Sequence, residues 1–242
     1  MKSLYKYTFI ACVIFYVISL IGPIIGEYVG YYYSFSCSHA TDSDFVTIDF
    51  FESHGSPYLS NITFVLQNIL FLGLFIGMLA LKEGRSIAIV GGVGVLVGFA
   101  INVLNVLRNL QVAKIGNLYA ADAPVSYSLM NDVYSDNTIL YICNLLYTLI
   151  MLAVIIMFLI RYRNKKLHCI MVGIVLVIFV LLNASVYLMP FLSHLMSSEH
   201  YILLMTKIHD ILPYILFVNY AILMLSLSLV FKQKAEQEVM YI

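Results

Sequence analysis

Apolar positions in this chain gather into long, nearly unbroken runs, with the polar positions confined to the segments between them. Six runs reach the roughly 20 residues that a helix needs to cross a hydrocarbon core of about 30 Å. They are residues 7–26, 62–81, 87–107, 138–160, 169–189 and 213–231. Pro190 follows the fifth and Pro213 opens the sixth, each at a helix end, where proline is tolerated. The pattern predicts an all-α fold: a single domain, residues 1–242, built as a polytopic bundle of six transmembrane helices.

The connecting segments differ in length. Two are short turns, around Lys82–Ser86 and Arg161–His168, whereas 27–61, 108–137 and 190–212 are long. Segments longer than about 12–15 residues usually carry function or are disordered. The first is rich in aromatics (Tyr31, Tyr32, Tyr33, Phe45, Phe50 and Phe51 among them), which predicts packing over the bundle. In the last, residues 199–212 pattern either as an interfacial helix, with Glu199, Thr206, Lys207 and Asp210 on one side, interrupted by Leu203, and Tyr201, Leu204, Met205, Ile208, Ile211 and Leu212 on the other, or as a simple loop cover.

Charge orients the bundle. Ten of the thirteen basic residues lie in the N-terminus, the two short turns and the C-tail, and ten of the thirteen acids lie in the three long segments. Basic residues mark the cytoplasmic side, so both termini are expected there and the long segments outside the cell membrane. Composition agrees: 62% of residues are hydrophobic and 11% charged, against about half and a quarter in a soluble domain. The first run also exceeds the roughly 7–15 apolar residues of a signal peptide and lacks an A-x-A site, so it is read as a retained span.

Candidate chemistry centres on small residues and amides. Gly91, Gly94, Gly98, Asn102, Asn105 and Asn109 fall within an arc of about 80° on the third span. The second span adds Gly73 and Gly77, so a tight hairpin of these two helices is expected, since small residues let backbones approach where lipid supplies no hydrophobic drive. Asn68, Asn102 and Asn105 are candidate ligand contacts, alongside Glu52 and His54 in the first long segment. Gln67, Asn144, Thr148, Asn183 and Asn219 supply further amide or hydroxyl groups, as interhelical hydrogen bonds or as the lining of a polar cavity.

No Asp, Glu, Lys, Arg or His lies in the middle of a span, which argues against ion-coupled pumps, proton relays and voltage sensors. Five of the six histidines are in the long segments, so no axial haem ligand is expected inside the bundle. The cysteines show no CxxC pair, there is no HExxH, and no metal or other cofactor is expected.

One stretch has a familiar layout. Tyr33-Ser34, Glu52, Gly55-Ser56-Pro57, Asn61 or Asn68, and Gly73 resemble a pattern in domain-of-unknown-function family 998, six-span membrane proteins of archaea and bacteria. The opening layout is also similar to that of the eukaryotic damage-regulated autophagy modulators. The resemblance covers about the first third of the chain and implies a six-span membrane protein of unassigned activity. It departs after the third span, where that family often has a Phe-Pro and a histidine; segment 108–137 has no histidine, and its only proline is Pro124.

The sequence therefore points to a non-enzymatic membrane protein acting at its extracytoplasmic face. Membrane lipid or a small molecule, and a membrane-protein partner or a second copy of the chain, are the expected partners; nucleic acid is not. A small-solute facilitator with an Asn-lined path is the first alternative, and an outer-face enzyme built on the loop acids and histidines the second.

Overall fold

The computed structural model describes the backbone of residues 1–29, 31–39, 46–54, 57–120, 127–192 and 198–240, and the side chains of most of the residues within the spans. All six apolar runs are helical. The elements are α1 (Lys2–Val29), β1 (Tyr31–His39), β2 (Val46–His54), α2 (Pro57–Ala80), α3 (Arg85–Ala120), α4 (Tyr127–Arg161), α5 (Lys166–Leu192) and α6 (Ser198–Met240). Each helix contains a stretch long and apolar enough to cross a membrane. Large apolar side chains such as Ile62, Leu96 and Leu181 point outward, as lipid in place of water permits.

Each helix packs against its neighbours in sequence, and α1 closes on α6 to complete a ring. The termini therefore share one end of the bundle, where the Met1 ammonium lies 3.4 Å from Glu238. We call this the terminal end and the opposite one the hairpin end. Aromatic residues fill the middle of the ring: Phe15 of α1 meets Phe71 of α2 and Phe217 and Tyr220 of α6 at centroid distances of 5.7–6.0 Å. Below them Leu74, Phe75, Met78, Met151, Phe158, Met224 and Leu227 are fully buried.

Three expectations change. The first long segment contains a two-stranded antiparallel hairpin, paired from Tyr31 opposite His54 to His39 opposite Val46. Its strands are rich in tyrosine, phenylalanine and β-branched residues, and Val46, Ile48 and Phe50 alternate with Thr47 and Asp49. The second long segment is mostly helix, because α3 runs to Ala120 and α4 begins at Tyr127. Residues 199–212 are continuous with the sixth span inside α6, and Pro213 lies within that helix instead of opening it. An apolar face that suits an interfacial helix also suits the extension of a spanning one.

The glycines also distribute differently from the expected pairing of spans two and three. α2 and α3 do pack together, but Gly73 and Gly77 face α1. The missing Cβ of Gly73 makes room for the Tyr7 ring, whose hydroxyl donates to the Leu70 carbonyl at 2.6 Å, and Gly77 receives Leu4. On α3, Gly91 receives Phe75 of α2, Gly94 receives Ile150 of α4, and Gly98 receives the Asn68 carboxamide. Each glycine accepts a side chain from its neighbour, so backbone does not meet backbone. The physical reason lies in the partners: large residues at Tyr7, Phe75 and Asn68 fill the space that small–small contact would have closed.

Candidate functional site

Both ends of the ring contain polar groups, and the two are built differently. At the terminal end α2 stops in a Schellman turn. Glu83 N–H donates to the Met78 carbonyl at 2.8 Å and Lys82 N–H to that of Leu79 at 3.1 Å. Lys82 takes the left-handed conformation usually given to glycine, at φ 53°. This turn aims Glu83 into the bundle, where the residue is only 7% exposed.

One Glu83 oxygen accepts from Lys234 Nζ at 2.8 Å, the Tyr162 hydroxyl at 2.7 Å and Arg161 Nε at 3.1 Å. Burial pushes the carboxyl up, but the hydrogen bonds from Lys234, Tyr162 and Arg161 outweigh it and hold the group below the usual carboxylate range. Burial, reinforced by the adjacent carboxylate, raises the Tyr162 phenol. The same phenol ring lies under Lys234 Nζ at 5.2 Å and edge-on to His168 at 5.3 Å. His168 Nε2 lies 3.3 Å from the Phe158 carbonyl, which only accepts, so Nε2 carries the proton and Nδ1 faces the Ser226 hydroxyl at 2.6 Å. The α2–α3 turn, α4, α5 and α6 are thus tied together by groups that satisfy one another.

At the hairpin end the ring holds a cavity of about 360 Å³, bounded by α2, α3, α4, α5 and α6. Its polar lining is amide and hydroxyl: Asn61, Thr63 and Gln67 of α2, Asn105 of α3, Tyr141, Asn144, Tyr147 and Thr148 of α4, Asn183 of α5 and Tyr220 of α6. Phe64, Phe179, Phe217, Ile101, Leu212 and Leu216 add apolar wall, and no charged side chain lines it among the described residues. Hydrogen bonds cross between helices here: Gln67 Nε2 donates to the Tyr147 hydroxyl at 2.8 Å, and Thr148 Oγ1 to Asn183 Oδ1 at 3.1 Å.

The amides orient by a shared rule. Asn144 Nδ2 donates to the Leu140 carbonyl at 2.9 Å and Asn183 Nδ2 to that of Phe179 at 2.8 Å, each four residues back in its own helix. A backbone carbonyl accepts only, so the amino group must face it and the side-chain oxygen must face away. Asn61 has no such anchor; its Nδ2 is buried and unpartnered. Asn105 has no hydrogen-bond partner among the described residues.

Of the five ligand candidates, the structure puts Asn105 in the cavity wall. Asn68 and Asn102 are instead buried between α2 and α3, outside that wall. Asn68 Nδ2 donates to the Phe64 carbonyl at 3.0 Å and Asn102 Nδ2 to that of Gly98 at 3.1 Å, and both side-chain oxygens are unpartnered. Glu52 and His54 belong to β2, and their side chains lie outside the described residues. So do those of the other loop acids and histidines on which an outer-face enzyme would rest, apart from Asp132. Among the described residues no group of three or more His, Cys, Asp or Glu could hold a metal ion, and Cys12, Cys143 and Cys169 are free thiols.

Sequence reasoning missed the Glu83 node. A glutamate in a five-residue turn reads as solvated, and its partners Arg161 and Lys234 are 78 and 151 residues away. The tyrosines of the cavity, Tyr141, Tyr147 and Tyr220, were hidden among the nineteen of the chain. Comparison of the chain with family models, curated proteins and solved structures finds no match, so its architecture and its cavity have to speak for themselves.

Proposed function

We propose that this multi-pass membrane protein is a non-enzymatic binder that holds a small molecule, or part of a lipid, in the amide-lined cavity at its hairpin end. The observation that carries this reading is the cavity itself: about 360 Å³ of space, walled by aromatic rings and amides, at the hairpin end of the bundle. That volume lies at the small end of the roughly 300–1,000 Å³ of ligand pockets, which share this mix of apolar walls and few polar groups. The basic residues at the terminal end support cytoplasmic termini, so the cavity opens toward the extracytoplasmic side of the cell membrane. Lipid and a membrane-protein partner, or a second copy of the chain, remain its natural company.

A facilitated path through the bundle has less support. Beneath the cavity the ring is closed by Phe71, Leu74, Phe75 and Met78, and farther on by the Glu83 node. Native mass spectrometry of protein released from mild detergent tests the binding reading. A stoichiometric bound molecule that disappears when Asn105→Phe fills the cavity is the expected result. An empty wild-type protein, together with no thermal stabilisation by any added lipid or solute, would end the proposal.

A further inference from the structure

The hydrogen-bonding state of the cavity wall narrows the ligand's chemistry, and the argument rests on the binding reading above. Three amides are available to an occupant. Asn144 has its amino group tied to the Leu140 carbonyl, which leaves its oxygen as an acceptor without a donor among the described residues. Asn61 presents the reverse, a buried Nδ2 with no acceptor. Asn105 is uncommitted at both ends. An occupant that completes this wall must both donate and accept.

Charge decides among the classes that could do so. A carboxylate or phosphate accepts only and would leave the Asn144 oxygen unmet. An ammonium donates only and would leave Asn61 Nδ2 unmet. Either would also meet no counter-charge among the described lining residues, and burial of an unpaired charge is strongly unfavourable. A hydroxyl donates one hydrogen bond and accepts others, and it is neutral. The aromatic walls, Phe64 and Tyr147 edge to face at 5.5 Å among them, offer ring surface to the C–H groups that carry such hydroxyls.

Depth points the same way. Asn61 immediately precedes the second apolar run of the sequence, Tyr141 and Asn144 lie in the first two turns of the fourth, and Leu216 and Phe217 in the first turns of the sixth, so the cavity lies toward the hairpin-side ends of the apolar runs. This is the level of the alcohol and glycerol groups of neutral lipids, and it is also within reach of dissolved polyols.

We infer that the cavity is a binding site for a neutral hydroxylated head, an alcohol or polyol, recognised by Asn61, Asn105 and Asn144. Full-length protein in detergent is titrated with 1-monooleoylglycerol, oleate and oleylamine, which share a chain and differ in head, with binding read by calorimetry and thermal shift. Monooleoylglycerol is expected to bind at least tenfold tighter than either charged amphiphile, and Asn105→Leu with Asn144→Leu to abolish that preference. Equal or tighter binding of oleate or oleylamine by the wild type overturns the inference while leaving a binding protein in place. Binding of none of the three, with no co-purifying molecule, overturns both. The wild-type series decides even where the double variant does not fold. Competition with free glycerol then separates the sources: displacement points to a dissolved polyol and its absence to a lipid, and both uphold hydroxyl recognition.

Discussion

The two ends of the ring use polar groups to opposite purposes. At the terminal end a carboxylate, two cations, a phenol and a histidine are brought together, and each of them meets a protein hydrogen-bond partner. At the hairpin end the described wall residues carry no charge, and amides stand around a space with bonding capacity left over. Satisfied polar networks rigidify a fold, whereas unmet ones carry a free-energy cost that a ligand can remove. The difference gives cohesion to one end and, on the binding reading proposed above, recognition to the other.

The largest effect should come from breaking the charged node. Glu83→Ala leaves two cations without their carboxylate and the Tyr162 hydroxyl without an acceptor. Arg161 and Lys234 are partly exposed and can rehydrate, so a loss of about 2–3 kcal/mol is expected, below the usual range for a fully buried pair. Unfolding in detergent measures it, and a change within 0.5 kcal/mol would show that the node is ornamental. Acid should do the same more gently. A carboxyl held below its unfolded value contributes its full stability above about pH 4.3 and loses it as pH falls through the folded value. The melting temperature should therefore stay level in this respect down to about pH 5 and drop below 4, and Glu83→Gln should remove that component of the drop.

Next in size is Gly98→Ala, midway between the ends. Its Cβ would meet the carboxamide of Asn68, which is fully buried and tied to Phe64, so overpacking should cost about 1–2 kcal/mol. Lys82→Gly should act in the other direction. It relieves the left-handed strain of the Schellman turn and should stabilise the terminal end by about 0.5–1 kcal/mol, visible as a higher melting temperature. Smallest of all should be Tyr147→Phe, which removes the Gln67 hydrogen bond. Such bonds within membranes average about 0.6 kcal/mol, so stability should barely move while ligand affinity falls. A large loss of stability with unchanged affinity would reverse the roles of the two ends.

Much of the fold was legible because lipid imposes a simple rule on sequence. A span must be apolar over its whole crossing, so six runs gave six helices, and the stripe on α3 led to Asn105. Where the chain leaves the bilayer that rule lapses. Residues 108–120 and 198–212 are polar enough to read as loops, yet they prolong α3 and α6. The first long segment hid its hairpin because tyrosines suit a packed loop as well as a strand. Asn102 looked equivalent to Asn105 on helical spacing, and Asn68 could face either another helix or a cavity. Their burial depends on which neighbour fills the α2–α3 seam, and that is a property of the assembled bundle. Glu83 was illegible for the same reason, since no local pattern records that a turn after α2 will meet the ends of α4 and α6.

The closure of α1 on α6 also sets an order of events in time. α1 leaves the ribosome first, and the face carrying Ala11 and Phe15 is completed by Phe217 and Tyr220, some 200 residues later. At synthesis rates of about 5–20 residues per second, the first helix waits on the order of 10–40 s for its partner. During that interval its inner face has only α2 and lipid to cover it. The ring therefore closes only once α6 is made, and a nascent chain stopped before α6 should hold α1 only loosely.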